Sequence, residues 1–378
     1  MLLLFLLLTS IPAGKPFIGE ELKKIAKNDE VEHLTGQALV DGESLTYATH
    51  MAGTIYRSCW LPPLVDYINS HQNLYKAKYK PGIEKFVRSR IMRSKYLEDP
   101  LAAELMERRE IVGEDPLPES FDSREHWPKC AEVIGHIRDQ SNCASCWAVA
   151  NVEVMSDRLC IQSDAKYKVS TPSDTDLLAC CGSFCGFGCE GGYTNRGWPY
   201  FKASGICTGG PYGDKKSCKP YAFYPCGKHE NQTYYGPCPY YNWVTPTCRN
   251  MCQLKSRKNY ESDKFWGGEA YVVSGNETAI RREIMTKGPV LVTFYVFEDF
   301  MYYSGGIYEH YYGYDDQGAH AVKIIGWGVE KGTKYWLVAN SWNVDWGEKG
   351  FFRIIRGQNE CGIEAGVIGG SVDLSKIH

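Results

Sequence analysis

The sequence predicts an α+β protein that has a helical half, a half built from an antiparallel β-sheet or barrel, and a separate helical segment at its N-terminus. An apolar run after Cys146 has the length and density of a buried helix. Short β-branched and aromatic runs, separated by glycine-containing turns, fill residues 288–356. Residues 15–116 hold one of the sixteen cysteines, which sets them apart from the chain that follows. A cleft between the helical and β halves is the expected binding site.

The first residues predict entry into the secretory pathway. Residues 1–8 are almost purely apolar and are followed by small residues, so residues 1–14 are expected to be a signal peptide. The run is too short to span a bilayer, and no other membrane span is expected. In this oxidising route most cysteines are expected to form disulfides. Asn231 and Asn276 each begin a glycosylation triplet that fits the same route.

Composition and charge exclude some classes of protein. A chain of 378 residues is long enough for more than one folding unit, and its 26 Tyr and 10 Trp are not typical of a disordered protein. The net charge of −3 predicts no dominant nucleic-acid partner.

Residues 15–116 are charged and favour helix. Ile83, Phe86, Val87 and Ile91 recur at helical spacing. Residues 76–95 contain eight Lys or Arg and a single acid. This run is interpreted first as a solvated helix face, and secondly as a detachable segment that docks on the rest of the protein by charge. Residues 113–118, with two prolines and two acids, are expected to be an exposed, cleavable linker.

The stretch Gln140–Trp147 carries the candidate nucleophile. Cys146 is expected at the N-terminus of the buried helix, where unpaired N–H groups and the helix dipole favour a thiolate. Gln140 and the backbone N–H of Cys146 are expected to donate to an oxyanion. The pair Cys143 and Cys146 also fits a redox or zinc site, but a His and an Asn in suitable contexts follow downstream.

The expected β half supplies those partners. Its strands are predicted at Val290–Phe297, Ala319–Trp327, Tyr335–Ala339 and Phe351–Ile355. His320 lies at the start of one strand among small residues, and Asn340 directly follows another. A thiolate nucleophile needs an imidazole beside it, and the imidazole needs a third group that fixes its tautomer. Trp342 is expected to shield the Asn–His hydrogen bond from water.

These motifs resemble the papain family of cysteine proteases and, within it, the cathepsin B group. The run Gln140–Trp147 is similar to the family's nucleophile motif, with Ala144 in place of a glycine. Residues 117–124 resemble the mature N-terminus of the group. Gly191 and Gly192 match the glycine pair whose backbone binds an extended substrate. The resemblance implies a papain-like two-domain fold, with residues 15–116 as an inhibitory propeptide and residues 117–378 as the mature peptidase.

The resemblance also implies an occluding loop at about residues 226–238. In cathepsin B a pair of loop histidines binds the substrate's C-terminal carboxylate, which makes the enzyme a carboxydipeptidase as well as an endopeptidase. Here the pair is Lys228 and His229, which are both expected to bind that carboxylate. The loop arginine that pairs with the acid matching Asp345 has no counterpart. A loop without any substrate role is the alternative.

The S2 pocket is expected to accept apolar or aromatic side chains. Cathepsin B has an acid on the floor of this pocket, where this chain has Gly366. The resemblance gives the pocket the following lining: Tyr193, Thr194, Thr293, Ala321 and Gly366.

Six disulfides are implied by the resemblance. They are Cys130–Cys160, Cys143–Cys189, Cys180–Cys248, Cys181–Cys185, Cys218–Cys252 and Cys226–Cys238. Cys207 and Cys361 remain either free or paired with each other. A zinc site formed by Cys180, Cys181, Cys185 and Cys189 is the disfavoured alternative, and no metal or cofactor is expected.

The expected function is hydrolysis of peptide bonds by an enzyme made as a zymogen. The expected partners are peptide and protein substrates, the chain's own propeptide and cystatin-type inhibitors, and the enzyme is expected to be a monomer. An acidic, lysosome-like compartment or secretion, for example into a gut lumen, is the expected location. Residues 335–348 resemble digestive enzymes of blood-feeding worms, which suggests haemoglobin as a substrate. An inactive homologue that only binds, and acyl transfer to an amine, are the alternatives.

Overall fold

A computed structural model describes residues 64–168, 171–274, 276–313 and 316–377. The expected signal peptide, the first part of the expected propeptide and Cys59 lie outside the described residues. All described residues belong to one compact unit, residues 62–378. We call residues 64–116 the prosegment.

The described residues form helices and two β-sheets. The helices are α1 (64–71), α2 (Ile83–Arg88), α3 (Ala102–Leu105), α4 (Ser123–His126), α5 (Ala131–Ile134), α6 (Cys146–Gln162), α7 (Asp174–Cys180), α8 (Gly182–Cys185), α9 (Gly197–Ser204) and α10 (Glu277–Lys287). The strands of the large sheet are β1 (Tyr75–Ala77), β2 (Glu107–Glu110), β3 (Phe121–Asp122), β7 (Gly267–Ser274), β8 (Val290–Val296), β9 (Tyr303–Tyr308), β10 (Gly318–Glu330), β11 (Thr333–Ala339), β12 (Phe351–Ile355) and β13 (Ile368–Val372). A small sheet contains β4 (Thr171–Pro172), β5 (Ile206–Gly209) and β6 (Lys264–Phe265).

The α+β prediction is confirmed, and the large sheet is open. Its strands follow the order β1-β9-β12-β11-β10-β8-β13-β7-β2, with β3 paired to β10. Among the described residues this path does not close on itself, so the sheet alternative is the correct one and the barrel alternative is not. Both end strands, β1 and β2, come from the prosegment, which therefore covers the edges that the rest of the sheet would expose.

Helix α6 is buried along almost its whole length, as its apolar sequence predicts. Fifteen of its residues, Cys146 to Cys160, are buried. Two buried ion pairs fix it to the sheet and its neighbouring helix: Lys323 Nζ lies 2.7 Å from Asp157, and Arg158 lies 2.9 Å from Glu283. Arg158 also donates to the carbonyl groups of Pro289 and Gly370. These contacts set the position of the helix N-terminus relative to strand β10.

The basic run of the prosegment docks on the rest of the protein through its apolar side chains and leaves most of its charged side chains in solvent. Val87, Arg90 and Met92 are buried. Met92 forms an antiparallel bridge with Ala319 at the start of β10. Seven of the eight Lys and Arg residues are exposed and Arg90 alone is buried, so the solvated face and the docked segment are both present: the charged side faces water while the apolar side of helix α2 is covered. Residues 112–116 are exposed, as expected for a linker.

The structure joins the same six cysteine pairs that the resemblance implies. They are Cys130–Cys160, Cys143–Cys189, Cys180–Cys248, Cys181–Cys185, Cys218–Cys252 and Cys226–Cys238. Cys146, Cys207 and Cys361 are free. The four cysteines of the zinc alternative are all in disulfides, and so is Cys143, so neither the zinc site nor the redox pair has its thiolates available.

Candidate active site

Cys146 is the first residue of helix α6 and is fully buried. It lies in the same buried cluster as Met92 of the prosegment and as Ala319 and Ala321, which flank His320 in strand β10. Ala321 directly follows His320. The structure therefore brings the candidate nucleophile and the candidate imidazole to the same place, where the helix meets the sheet.

His320 is held by the residues that the sequence predicts. Its Nε2 lies 2.7 Å from Oδ1 of Asn340, so this nitrogen carries the proton and donates it to the amide oxygen. The Trp342 ring lies 4.6 Å from the imidazole, centroid to centroid, and both side chains are fully buried. Nδ1 of His320 has no hydrogen-bond partner among the described residues. That nitrogen is the one available to accept a proton from a thiol.

Gln140 is buried and acts as a hydrogen-bond donor within the stretch that leads to Cys146. Its Nε2 donates to the carbonyl oxygens of Cys143 and of Arg90 in the prosegment, both at 2.8 Å. Its Oε1 accepts from the Ser341 hydroxyl at 2.8 Å, which fixes which end of the amide faces the cleft. The amide therefore already donates a hydrogen bond to a peptide carbonyl of the prosegment.

The prosegment pairs with strand β10 beside His320 and packs against the glycine pair. Met92 N–H donates to the Ala319 carbonyl at 2.9 Å, and Ala319 N–H donates to the Met92 carbonyl at 2.7 Å. A Cβ atom at Gly191, whose φ is +114°, would lie 2.8 Å from Met92 Cβ and 2.6 Å from the Tyr96 ring. A glycine is therefore required where the prosegment crosses the glycine pair.

This cover shifts the pKa values of Cys146 and His320. Burial raises the pKa of the Cys146 thiol to about 12, although nearby backbone N–H groups act in the opposite direction. Burial lowers the pKa of His320 to about 4, although the hydrogen bond to Asn340 opposes the shift. In the covered cleft, desolvation therefore opposes the thiolate that the helix N-terminus favours, and both shifts favour the uncharged forms of the two groups.

The residues expected to line the S2 pocket lie on both walls of the cleft. Thr293 and Ala321 are direct neighbours across strands β8 and β10. On the other wall Thr194 is buried and Tyr193 packs edge-on against the Tyr96 ring of the prosegment at 5.2 Å. A Cβ atom at Gly366 would meet nothing within 4 Å, so that position is open.

The carboxylate nearest in sequence to Gly366 is already engaged in hydrogen bonds. Glu364 accepts from Trp336 Nε1 at 2.8 Å and from the backbone N–H groups of Gly357 at 2.6 Å and Asn359 at 3.2 Å. Its negative charge therefore stabilises the loop that precedes it and is not free for a substrate cation.

The loop closed by Cys226 and Cys238 has an anchor that the sequence did not predict. His229 Nδ1 lies 3.1 Å from Asp345, and its Nε2 lies 3.4 Å from Asp139. The hydrogen bond to Asp345 raises the pKa of His229, although burial opposes the shift. Asp345 therefore has a partner despite the missing arginine. Lys228 is exposed, so the structure separates the two residues that were expected to act together.

The two glycosylation triplets lie at the surface. Asn231 is exposed in the loop at a φ of +55°. Asn276 is exposed and caps helix α10 with its side-chain oxygen, which leaves its amide nitrogen without a capping role. No helix among the described residues is long and apolar enough to cross a membrane.

Several residues of the site were not found from the sequence. Tyr221 donates to the Gln140 carbonyl at 2.8 Å and lies 2.9 Å from the Ser145 hydroxyl, so it supports the loop before the nucleophile. Ser341 orients Gln140, and Asp139 contacts His229. The sequence indicated Ser341 and Asp139 only through their position, since each directly adjoins a predicted catalytic residue. It gave no indication of Tyr221, which lies in a cysteine-rich stretch with no periodicity.

Comparisons with known proteins agree with this geometry. Residues 117–370 match the family model described as papain family cysteine protease. Cathepsin B-like cysteine proteinase 6 of Caenorhabditis elegans is 47% identical over 330 residues, which cover 83% of this chain and 84% of that protein. Cathepsin B-like cysteine proteinase 2 of Haemonchus contortus is 45% identical over 315 residues, which cover 83% of this chain and 90% of that protein.

A solved proenzyme has the same architecture. The structure of procathepsin B S9 from Trypanosoma congolense superposes with a TM-score of 0.69 at 35% sequence identity, covering 82% of this chain and 98% of that one. The digestive procathepsin L2 proteinase from the larval midgut of Tenebrio molitor superposes with a TM-score of 0.61 at 20% identity, which supports the fold alone. The papain-like fold with a propeptide is therefore confirmed.

Proposed function

The chain belongs to the papain family of cysteine proteases and to its cathepsin B-like group, and we propose that Cys146 and His320 hydrolyse peptide bonds in it after the prosegment leaves. Once water and substrate replace the prosegment, the desolvation that keeps both groups neutral is reduced. The Cys146 proton then passes to Nδ1 of His320, and the thiolate attacks the peptide carbonyl. Asn340 holds the imidazole by its Nε2–H, and the imidazolium later protonates the leaving amine.

One observation carries this proposal: the amide of Gln140 already donates to a peptide carbonyl, that of Arg90. The same Nε2–H, together with the backbone N–H of Cys146, suits the oxygen of a tetrahedral intermediate. A catalytically inactive binder has no need for the set of Gln140, Cys146, His320 and Asn340. Acyl transfer to an amine uses the same residues, and the bound prosegment favours hydrolysis because zymogen control suits a protease.

The proposal is tested with acid-matured protein. An epoxide inhibitor is expected to label Cys146, and haemoglobin is expected to be degraded to fragments whose masses show addition of water at each cleavage. Mass spectrometry of the labelled peptide and of the fragments provides both measurements. If Cys146 stays unlabelled, the proposed catalytic activity is excluded. Amine adducts on the fragments would identify a transferase instead of a hydrolase. Intact haemoglobin together with cleaved synthetic peptides would exclude only the digestive role.

The proposed zymogen has a signal peptide at residues 1–14, a propeptide at residues 15–116 and a mature enzyme from Leu117 onward. Exposure of the linker at residues 112–116 supports cleavage there. Cystatin-type inhibitors are proposed to enter the same cleft as the prosegment. A monomer in an acidic, lysosome-like compartment or a secreted enzyme fits the disulfides and the exposed Asn231 and Asn276.

Mild acid does not break every ion pair that holds the prosegment, because the Asp99 carboxylate stays charged there. Burial opposes ionisation of Asp99, but hydrogen bonds from Arg196, Leu101 N–H and Asn195 outweigh it and lower the pKa of this carboxyl. Because the folded pKa is depressed, this contact is present above the ordinary value of about 3.8 and is lost only as the pH falls below it. Mild acid therefore has to act through other contacts or through proteolysis.

The open position at Gly366 predicts which side chain the S2 pocket prefers. Fluorogenic dipeptides with Phe as the second residue before the scissile bond are expected to be cleaved about tenfold better than those with Arg there, because the pocket has Gly366 in place of an acid. Gly366→Glu is expected to shift the ratio of kcat/KM values about tenfold toward Arg. Ala365→Glu, at the exposed neighbouring residue, is the charge control. A wild-type preference for Arg would contradict the pocket as described.

A further inference from the structure

The prosegment inserts one carboxylate into a site formed by the mature part of the chain. Asp99 accepts hydrogen bonds from Arg196 Nε at 2.8 Å and from Asn195 Nδ2 at 2.7 Å, and it also pairs with Arg196 Nη2. In the ion pair the Arg196 side chain is 9% exposed and that of Asp99 is 3% exposed. Such a two-pronged guanidinium contact is the geometry that proteins use to select carboxylates.

Residues of the mature part hold Arg196 in place without help from the prosegment. Its Nη1 donates to the Phe184 carbonyl at 2.7 Å, and its guanidinium lies 4.1 Å from the centroid of the Tyr193 ring. The side chain is therefore oriented before any carboxylate arrives, which lowers the entropy cost of binding one. Among the described residues Asp99 is the one acid within ion-pair distance of Arg196.

The site adjoins the substrate cleft. Arg196 lies against Tyr193, which directly follows the glycine pair, and Tyr193 in turn packs on Tyr96 of the prosegment. Along the prosegment, Met92 lies at the catalytic centre, Tyr96 at the glycine pair and Asp99 at Arg196. A peptide that binds the glycine pair in an extended form and continues away from Cys146 therefore passes Arg196.

We propose that, after the prosegment leaves, Arg196 and Asn195 form a subsite that binds the carboxylate of an aspartate or glutamate in the substrate. The inference rests on the proposed peptidase function. The acidic residue lies on the same side of the scissile bond as the residue in the S2 pocket, at the third or fourth position from that bond. Asp99 occupies this subsite in the zymogen and is replaced by the substrate in the mature enzyme.

The test compares peptide pairs cleaved by the acid-matured enzyme. Each internally quenched peptide has Phe at the second position before the scissile bond, and the pairs differ only by Asp or Asn at the third or the fourth position. At one of these positions the wild-type enzyme is expected to show a kcat/KM about tenfold higher for Asp than for Asn, because a charge-assisted bidentate contact exceeds a neutral one. Arg196→Gln is expected to bring this ratio to about one.

Arg249→Gln removes a charge at an exposed arginine and serves as the matched control, which is expected to retain the wild-type ratio. Asn195→Ala, which keeps the arginine, covers the case in which Arg196→Gln fails to fold, and it is expected to lower the ratio. An active wild-type enzyme without an Asp preference at either position overturns the inference while leaving the peptidase function intact. An enzyme inactive on every peptide overturns the peptidase function itself.

Discussion

The full-length protein is expected to react with iodoacetamide at Cys146 at least about a thousandfold more slowly than the acid-matured protein at neutral pH, since the thiolate is the species that reacts. In the zymogen the thiol is fully buried, and burial raises its pKa to about 12. The imidazole beside it is equally buried, and burial lowers the pKa of His320 to about 4. Neither group then stabilises the charge of the other.

The same reasoning gives the pH dependence. A raised thiol pKa means that the fraction of thiolate in the zymogen keeps increasing up to strongly alkaline pH, so its alkylation rate should increase with pH throughout the stable range. After maturation an ion pair of Cys146 and His320 is expected to give a rate that is nearly constant across the acid to neutral range. Mass spectrometry of the peptide that contains Cys146 measures both profiles.

Two other thiols among the described residues are free and require a control. Cys207 is buried and Cys361 is half-buried, and burial raises the pKa of both, so both are expected to react slowly in either form. Cys146→Ser, which removes the nucleophile, should abolish the fast labelling of the matured protein and leave these two unchanged. Equal rates for Cys146 in the two forms would show that the prosegment does not control the thiol.

The sequence was most informative where the chemistry is local. Three features could each be predicted from a short run of residues: a helix that begins at a cysteine, a histidine at the start of a strand, and an asparagine at the end of the next strand. The family resemblance then ordered them. The four predicted strands of the β half match β8, β10, β11 and β12 within a few residues, because alternating apolar patterns depend on neighbouring positions.

Contacts between distant segments could not be predicted in this way. The Arg90 carbonyl at Gln140, Asp99 at Arg196 and the end strands β1 and β2 all depend on the path of the prosegment over the protein. That path depends on burial and on glycines such as Gly191. The sequence does not show that a glycine is needed there, because the reason is the close approach of Met92 and Tyr96. The desolvation of Cys146 in the covered cleft could not be predicted either, because it comes from a segment that is distant in the sequence.

The loop shows how one missing residue can be replaced by another. The loop arginine that would pair with Asp345 has no counterpart in this chain, yet His229 lies between Asp345 and Asp139. His229 is therefore proposed to anchor the loop, which leaves the exposed Lys228 as the cation that captures a substrate's C-terminal carboxylate. This revises the expectation that the two residues perform one task together.

The double variant Lys228→Met, His229→Gln removes both positive charges of the loop. It is expected to lower the release of C-terminal dipeptides about a hundredfold while internal cleavage persists, because the substrate's C-terminal carboxylate loses the cation that binds it. The single variants separate the two tasks. Lys228→Met should reduce dipeptide release alone, whereas His229→Gln should also increase internal cleavage, since a released loop no longer obstructs the cleft. Lys215→Met, at another exposed lysine, controls for the loss of one positive charge.

The pH dependence of dipeptide release follows from the anchor. The pKa of His229 is raised by its hydrogen bond to Asp345, so the ion pair is complete below the ordinary histidine value of about 6.5 and is lost as the pH rises through the raised value. Dipeptide release should therefore be greatest in acid and fall toward alkaline pH, and the fall should disappear in His229→Gln. Product masses from one peptide substrate, followed against pH, measure both activities at once. Dipeptide release that is unchanged in the double variant would leave the loop without any part in recognising the substrate's C-terminus.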